Sequence, residues 1–138
     1  MLSASLMGLL GFAAWAVLLV FVVLLFRTAV VFTGKKRANS WPRGDKAPAD
    51  EPGIITRIGH AHLNAVENLP IFVALVAIAF ASDQLAITDK FAMWVLYARI
   101  AQSVTHMIGV THWLVFIRAN FFAIQLLLYG FMILGLLP

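Results

Sequence analysis

Residues 1–26 have the sequence MLSASLMGLLGFAAWAVLLVFVVLLF, which contains no charged side chain, and Arg27 ends the run. A helix needs about 20 apolar residues to cross the hydrocarbon core of a bilayer, which is roughly 30 Å thick. The run is too long for the apolar part of a cleavable signal peptide, and no charged side chain precedes it. It predicts a retained anchor helix over about residues 5–32.

The composition of the chain indicates that the rest of it also lies in a membrane. Of its 138 residues, 62% are hydrophobic and 12% are charged, whereas soluble domains are about 45–50% apolar and about 25% charged. A soluble chain this short could not bury so much apolar surface. Because it contains no Cys, it has no disulfide, thiolate nucleophile or Cys-based metal site. Any thiol chemistry therefore requires a thiol from a substrate.

Further apolar segments predict an all-α fold, an integral membrane four-helix bundle formed by a single domain over residues 1–138. We predict a second helix over about residues 54–82, a third over about 91–117 and a fourth over about 118–136. Between the first two helices lies a polar loop, residues 33–56, which contains three prolines. Proline lacks a backbone donor and fixes φ, so this segment is predicted to be a loop.

Two tryptophans support the length of the predicted third helix. Trp94 and Trp113 are 19 residues apart, which corresponds to about 28 Å along a helix. This distance matches the separation of the two aromatic belts that membrane proteins place at the membrane–water interfaces. The pattern therefore favours one continuous span between them.

The distribution of basic residues predicts the orientation in the membrane, because Lys and Arg concentrate in cytoplasmic loops. Eight of the ten basic residues fall in the first and third loops or the adjoining helix ends, namely Arg27, Lys35, Lys36, Arg37, Arg43, Lys46, Arg57 and Arg118. The opposite side holds only Lys90. We expect both termini outside the cytoplasm and loop 33–56 inside it. This topology explains the basic excess, so the expected partner is membrane lipid and not nucleic acid.

Polar side chains are aligned on one face of each of the last three predicted helices. At about 100° per residue, the aligned residues are Arg57, His60, Asn64, Glu67 and Asn68 in the second helix, Arg99, Gln102, Ser103 and His106 in the third, and Arg118, Gln125 and Tyr129 in the fourth. Polar groups inside a membrane are costly and face the bundle interior. The three faces are therefore expected to share a polar interior.

Several of these polar residues have a structural explanation as well as a functional one. We predict an ion pair between Glu67 and Arg99, because either charge alone would be uncompensated in the membrane, and this pair would serve equally well as a clamp between helices. Asn64 and Asn68 can equally tie helices together by hydrogen bonds. His62 lies off the polar face and is expected to be hydrogen-bonded or interfacial. No cluster of ligands predicts a metal site.

The segment from Arg57 to Phe72, RIGHAHLNAVENLPIF, resembles the signature of the MAPEG superfamily, the membrane-associated proteins of eicosanoid and glutathione metabolism. The shared pattern is an Arg, then Ala-His-x-Asn-x-x-Glu, then Pro and Phe, at the start of the second membrane helix. Length, predicted spans and the basic loop agree over nearly the whole chain. The resemblance implies a homotrimer of four-helix bundles, with glutathione bound as co-substrate between subunits near the cytoplasmic face.

The resemblance also implies roles for individual residues. Arg118 matches the arginine at the start of the fourth helix that stabilises the glutathione thiolate, and it is the expected catalytic residue. The residues expected to bind substrate are Arg57, His60, Asn64, Glu67, Arg99, Gln102 and His106. A thiol with a pKa of about 8.5 is mostly protonated at neutral pH, and a nearby guanidinium raises the thiolate fraction. A lipophilic co-substrate is expected to enter from the lipid.

The resemblance therefore implies a membrane glutathione transferase or peroxidase acting on lipophilic electrophiles or hydroperoxides. Leu63 stands where some eicosanoid-forming relatives have a basic residue, and Ala119 and Phe122 lack a hydroxyl that some relatives carry. These differences favour a general activity over prostaglandin or leukotriene synthesis. A non-catalytic membrane binding or scaffold protein with the same fold is the alternative. A transporter is less favoured, because the sequence contains no inverted repeat.

Overall fold

The structure, a computed structural model, describes residues 1–41 and 48–137. In these ranges it contains no strand, and the helices are α1 (Ala4–Phe32), a short 3₁₀ turn (Ala38–Ser40), α2 (Gly53–Ala81), α3 (Leu85–Ile108) and α4 (His112–Leu136). The predicted all-α, four-helix fold class is confirmed. Arg43 and Lys46, which belong to the predicted cytoplasmic loop, lie outside the described residues.

Three of the four helices are long and apolar enough to cross a membrane: α1, α2 and α4. α3 has 24 residues, about 36 Å at 1.5 Å per residue, but Arg99, Gln102 and His106 lower its mean hydropathy. α3 packs against each of the other three helices. The protein is therefore an integral membrane protein whose most polar helix packs against all the others.

The boundaries of the third and fourth helices differ from the sequence prediction. α3 begins at Leu85, not near 91, and ends at Ile108, and α4 begins at His112, not at 118. Gly109 is the residue that follows α3 and Thr111 precedes α4; glycine favours helix ends, and threonine favours helix starts. The break also places Trp113 in α4, so the argument from a single span between Trp94 and Trp113 was wrong.

The helices approach closely where α1 meets α3, at Gly8. A Cβ atom added to Gly8 would lie 2.9 Å from the Ala92 carbonyl oxygen and 3.0 Å from its carbonyl carbon. Both are backbone atoms, so one helix would have to move away from the other. Small residues at such positions let membrane helices approach closely enough for extensive van der Waals contact.

Replacing Gly8 by alanine is therefore expected to destabilise the bundle by about 1–3 kcal/mol, the usual cost of overpacking. Gly59→Ala is the matched control, because a Cβ atom at Gly59 would meet nothing within 4 Å. Alanine stabilises a helix relative to glycine by up to about 1 kcal/mol. Thermal unfolding in detergent should show opposite shifts of the two variants, and a stabilised Gly8→Ala would contradict this account of the α1–α3 contact.

Outside the bundle, Glu51 connects α1, the following loop and the start of α2. Its Oε1 accepts hydrogen bonds from Arg27 Nε and Trp41 Nε1, each at 3.0 Å, and its Oε2 accepts one from Thr56 Oγ1 at 3.1 Å. The carboxylate side chain is only 1% exposed. Burial acts to raise the pKa of the Glu51 carboxyl, but the hydrogen bond and charge of Arg27, together with the hydrogen bonds from Thr56 and Trp41, leave this pKa below its ordinary value.

We expect Glu51→Gln to destabilise the protein by about 1–2 kcal/mol, because it removes the charge from a buried set of hydrogen bonds. Since folding lowers the pKa of Glu51, its contribution is present above the ordinary carboxyl pKa and is lost as the pH falls below it. The matched control is Asp50→Asn, which breaks an exposed ion pair with Lys36 and should have no measurable effect. Thermal unfolding of both variants at neutral and acid pH tests this, and equal effects would contradict it.

Candidate functional site

A cavity of about 590 Å³ lies between α2, α3 and α4, within the range of about 300–1,000 Å³ common for small-molecule sites. The polar side chains that line it are His60, Asn64, Glu67, Gln102, Ser103, His106 and Arg118. The apolar ones are Ala61, Leu63, Val115, Ala119 and Phe122. Six of the eight site residues predicted from the sequence thus line one cavity.

Helical spacing explains how each wall presents its polar groups. On α2, His60, Asn64 and Glu67 are four and three residues apart, so they lie on one face of the helix. On α3, Gln102 and His106 are four residues apart and face the same space. α4 completes the cavity with Arg118, its seventh residue, which lies in the second turn and not at the helix start as predicted.

Arg118 and His106 are joined across the α3–α4 turn. The Nη1 group of Arg118 donates a hydrogen bond to His106 Nδ1, and both side chains are half-buried. The ring of His60 lies beside that of His106, with 6.1 Å between the two ring centroids. A guanidinium and two imidazoles therefore line one part of the cavity, which also contains the carboxylate of Glu67.

Arg99 does not line the cavity but lies behind it, and its side chain is completely buried. Its guanidinium carbon is 5.4 Å from the centroid of the Phe12 ring, and its Nη1 group donates to Asn64 Oδ1. No ion pair joins Arg99 to Glu67, whose side chain is exposed, so that prediction is wrong. Asn64, three residues earlier on the same face of α2, binds the guanidinium instead.

Arg57 also lies outside the cavity lining. Its Nε group donates to the Met107 carbonyl oxygen at 2.9 Å, one of the last carbonyls of α3, which have no partner within the helix. Arg57 thus caps the end of the helix that carries His106. His62, on another face of α2, donates from Nδ1 to the Ala16 carbonyl at 2.9 Å, which confirms the prediction that it is hydrogen-bonded.

The apolar wall of the cavity was not predicted from the sequence. Val115 and Phe122 have apolar neighbours in the sequence, and nothing in their identity separates cavity-lining residues from lipid-facing ones. Leu63, Ala119 and Phe122 differ from the family pattern, but that difference did not predict that they line a cavity. Ser103 did lie on the predicted polar face of the third helix, and the alignment of polar residues alone could have included it.

The walls are chemically suited to a small ligand that carries both signs of charge and has an apolar partner. Arg118 can bind an anion, Glu67 can bind an ammonium group, and Asn64 can form hydrogen bonds with an amide. The apolar side chains leave room for a group that does not compete for hydrogen bonds. A charged peptide and a lipophilic molecule could therefore bind side by side in this cavity.

Comparison with known families decides between the possible interpretations of this fold. A model of the MAPEG family matches residues 12–137, nearly the whole chain. The chain belongs to the MAPEG family. No curated protein and no solved structure matches it. Membership of the MAPEG family assigns the chain a general role at a membrane in glutathione-related or eicosanoid metabolism.

Proposed function

We propose that this MAPEG protein is a membrane glutathione transferase or peroxidase that activates the glutathione thiol toward lipophilic electrophiles or hydroperoxides. The observation that carries the proposal is the position of Arg118, held by His106 at a cavity that also contains Glu67 and Asn64. Glutathione has two carboxylates, one ammonium group and two amide bonds. The cavity offers a complementary group for each type.

The chemical role proposed for Arg118 is stabilisation of the thiolate. A guanidinium stays charged in a poorly hydrated site, and a positive charge within about 4–6 Å lowers the pKa of an acidic group by about 1–3 units. In the transferase reaction the thiol proton passes to water, and the sulfur forms a bond to an electrophilic carbon as the leaving group departs. With a hydroperoxide, the thiolate sulfur attacks the terminal oxygen and the O–O bond breaks, which gives a sulfenic acid and an alkoxide that takes a proton from water. A second glutathione then attacks the sulfenic sulfur, and the products are glutathione disulfide and water.

The remaining residues are proposed to bind and position glutathione. His60, Asn64, Glu67, Gln102 and His106 line the cavity and can contact the peptide directly. Arg57 and Arg99, which the resemblance also placed among the binding residues, lie behind the wall. We propose that Arg57 acts by capping the end of α3 and that Arg99 acts by orienting Asn64.

The lipophilic substrate is proposed to bind against the apolar wall and to arrive through the membrane. On α4, Val115 and Ala119 are exposed and Phe122 is half-buried, so this side of the wall extends from the cavity to the outer surface of the bundle. On that surface, large apolar side chains are exposed on all four helices. An apolar molecule dissolved in the bilayer would reach the cavity without passing through water.

A homotrimer is proposed as the functional assembly, with both termini non-cytoplasmic and loop 33–56 cytoplasmic. Glu67 and His60 are exposed in the single chain although they lie on a membrane helix. A carboxylate in contact with lipid is costly, so a neighbouring subunit that covers this face would stabilise it. Cross-linking in native membranes would give a trimer under this proposal and a monomer otherwise.

The proposal is tested by assaying purified protein in detergent with glutathione and two substrate classes, an aryl halide and a lipid hydroperoxide. Turnover of at least one class should saturate with glutathione. A variant with Arg37→Ala, which removes an exposed basic residue outside the cavity, should behave like the unmodified protein. Absence of turnover with both classes in folded protein would contradict the proposal.

A non-catalytic membrane binding protein is the second candidate. The observation that favours it is the wall around Arg118, where Ala119 and Phe122 provide no hydroxyl to assist at the sulfur. Such a protein would bind glutathione without raising the thiolate fraction. Reproducible glutathione-dependent turnover by pure protein would exclude it.

A further inference from the structure

Two arginine hydrogen bonds determine which atoms of the neighbouring side chains remain available to a ligand. Arg99 donates to Asn64 Oδ1, and Arg118 donates to His106 Nδ1. A guanidinium has five N–H donors and no acceptor. The atoms that receive these bonds must therefore be acceptors, which fixes the orientation of the Asn64 amide and the protonation of the His106 ring.

For Asn64 the consequence is that its amide nitrogen is turned away from the guanidinium. The carboxamide has one oxygen acceptor and one NH₂ group with two donors. Its oxygen is held by Arg99, and among the described residues its NH₂ group has no hydrogen-bond partner. Because Asn64 lines the cavity, this NH₂ group is the one available to a ligand.

For His106 the consequence is the neutral ring with its proton on Nε2. Nδ1 can accept from Arg118 only if it carries a lone pair, which excludes the doubly protonated ring. The neutral ring then carries its proton on Nε2, which makes that nitrogen a donor. His106 also lines the cavity, so a second donor is set by an arginine.

We propose that Arg99 and Arg118, through these two bonds, present two N–H donors to the cavity, the Asn64 NH₂ group and His106 Nε2, which recognise carbonyl and carboxylate oxygens of the ligand. Arg99 is then a positioning residue, because it acts through Asn64 and does not line the cavity. This inference deepens the proposed function and rests on it for the identity of the ligand. Glu67, in contrast, offers a carboxylate that accepts hydrogen bonds from the ligand.

The test compares Asn64→Asp with Asn64→Leu. Aspartate has the shape of asparagine and still accepts from Arg99, but it presents an oxygen where the NH₂ group was. We expect Asn64→Asp to raise the melting temperature of ligand-free protein relative to Asn64→Leu and to weaken glutathione binding by about tenfold or more, the loss typical of one hydrogen bond to a charged group. Calorimetric titration with glutathione and thermal unfolding measure the two effects.

A second arm examines His106 in the ligand-free protein. Nitrogen-15 spectra of the histidine rings should show the Nε2–H form for His106, and Arg118→Ala should shift the Nδ1 signal because its donor is removed. His106→Gln offers an oxygen to Arg118 and an NH₂ group to the cavity, so it should bind glutathione more tightly than His106→Leu.

The outcomes separate this inference from the proposed function. If Asn64→Asp binds glutathione as well as asparagine does, or if His106 carries its proton on Nδ1, the inference is overturned. If the unmodified protein binds no glutathione, the proposed function fails. The melting temperatures and the nitrogen-15 spectra of ligand-free protein then still decide whether the arginines orient the two side chains.

Discussion

Replacement of Arg118 by alanine is expected to lower glutathione-dependent turnover at neutral pH by about 25-fold, the fall in the thiolate fraction at pH 7 when a thiol pKa of about 6.5 returns to about 8.5. The guanidinium is the cationic side chain that reaches the cavity among the described residues, and its loss returns the thiol toward its ordinary pKa, a change of about two units. Because Arg118 donates to a half-buried histidine on the surface of the cavity, the fold should tolerate its removal. Turnover at saturating glutathione, measured with the better of the two substrate classes, tests this.

The control for Arg118→Ala is the same substitution at an arginine outside the cavity. Arg37→Ala also removes one guanidinium, but from an exposed position after α1, so turnover should not change. Size-exclusion chromatography of both variants shows whether the assembly is intact. An Arg118→Ala protein that assembles normally and keeps its turnover would remove the thiolate role from this residue.

Replacement of Asn64 by leucine is expected to destabilise the ligand-free protein by about 3 kcal/mol. Asn64 is the acceptor for a guanidinium that is completely buried, and Arg99 Nε and Nη2 have no other partner among the described residues. Removing the partner of a buried charge costs more than removing an exposed hydrogen bond, because the charge stays in an apolar environment. The midpoint of thermal or denaturant unfolding measures the loss.

Glu67→Gln provides the comparison for Asn64→Leu. The two residues are one helical turn apart on the same face of α2, but Glu67 is exposed and does not bind Arg99. Its replacement should leave the unfolding midpoint of ligand-free protein nearly unchanged and weaken glutathione binding. If Glu67→Gln destabilised the protein as much as Asn64→Leu, the ion pair that the structure lacks would have to form in the membrane.

Much of the candidate site was accessible from the sequence, because helical periodicity is a strong signal when polar residues interrupt an apolar helix. His60, Asn64 and Glu67 had to share a face if residues 54–82 were helical, and the cost of polar groups in lipid directed that face inward. The same reasoning placed Gln102 and His106 together on the third helix. The cavity that the structure forms from them required only that the three faces meet.

The ends of α3 and α4 were missed because the local signal there was weak. Gly109 and Thr111 lie inside a long apolar stretch, and two well-spaced tryptophans favoured a single helix through them. Only the three-dimensional packing of α4 against α3 requires the chain to turn there. The consequence for function is direct, since the turn brings Arg118 back against His106.

The partner of Arg99 was missed for a different reason. Charge balance favours a carboxylate as the partner of a buried guanidinium, and Glu67 is the carboxylate on the predicted polar face. The rotation of α2 and α3 and the depth of each residue decide which side chain the Arg99 guanidinium reaches. Asn64 and Glu67 are three residues apart on one face, and periodicity alone cannot decide between them. The partners of Glu51 could not be predicted either, because its hydrogen bonds to Arg27 and Trp41 join residues 24 and 10 positions apart in the chain.

The position of α3 connects the stability of the fold with the proposed activity. It contacts each of the other helices, and among its buried polar side chains Gln102 and Ser103 line the cavity while Arg99 lies behind the cavity wall. A helix with so many polar groups is poorly suited to face lipid, and packing against three apolar helices shields it. The same residues therefore hold the bundle together and orient the side chains that a ligand would meet.

The most direct test of the central claim is a titration of purified protein with glutathione in which the ultraviolet absorbance of the thiolate is followed at neutral pH. We expect a saturable thiolate signal that is lost in Arg118→Ala and retained in Arg37→Ala. Glutathione binding without a thiolate signal would contradict the catalytic role and point to a binding protein. Absence of binding would make the polar faces of α2, α3 and α4 purely structural.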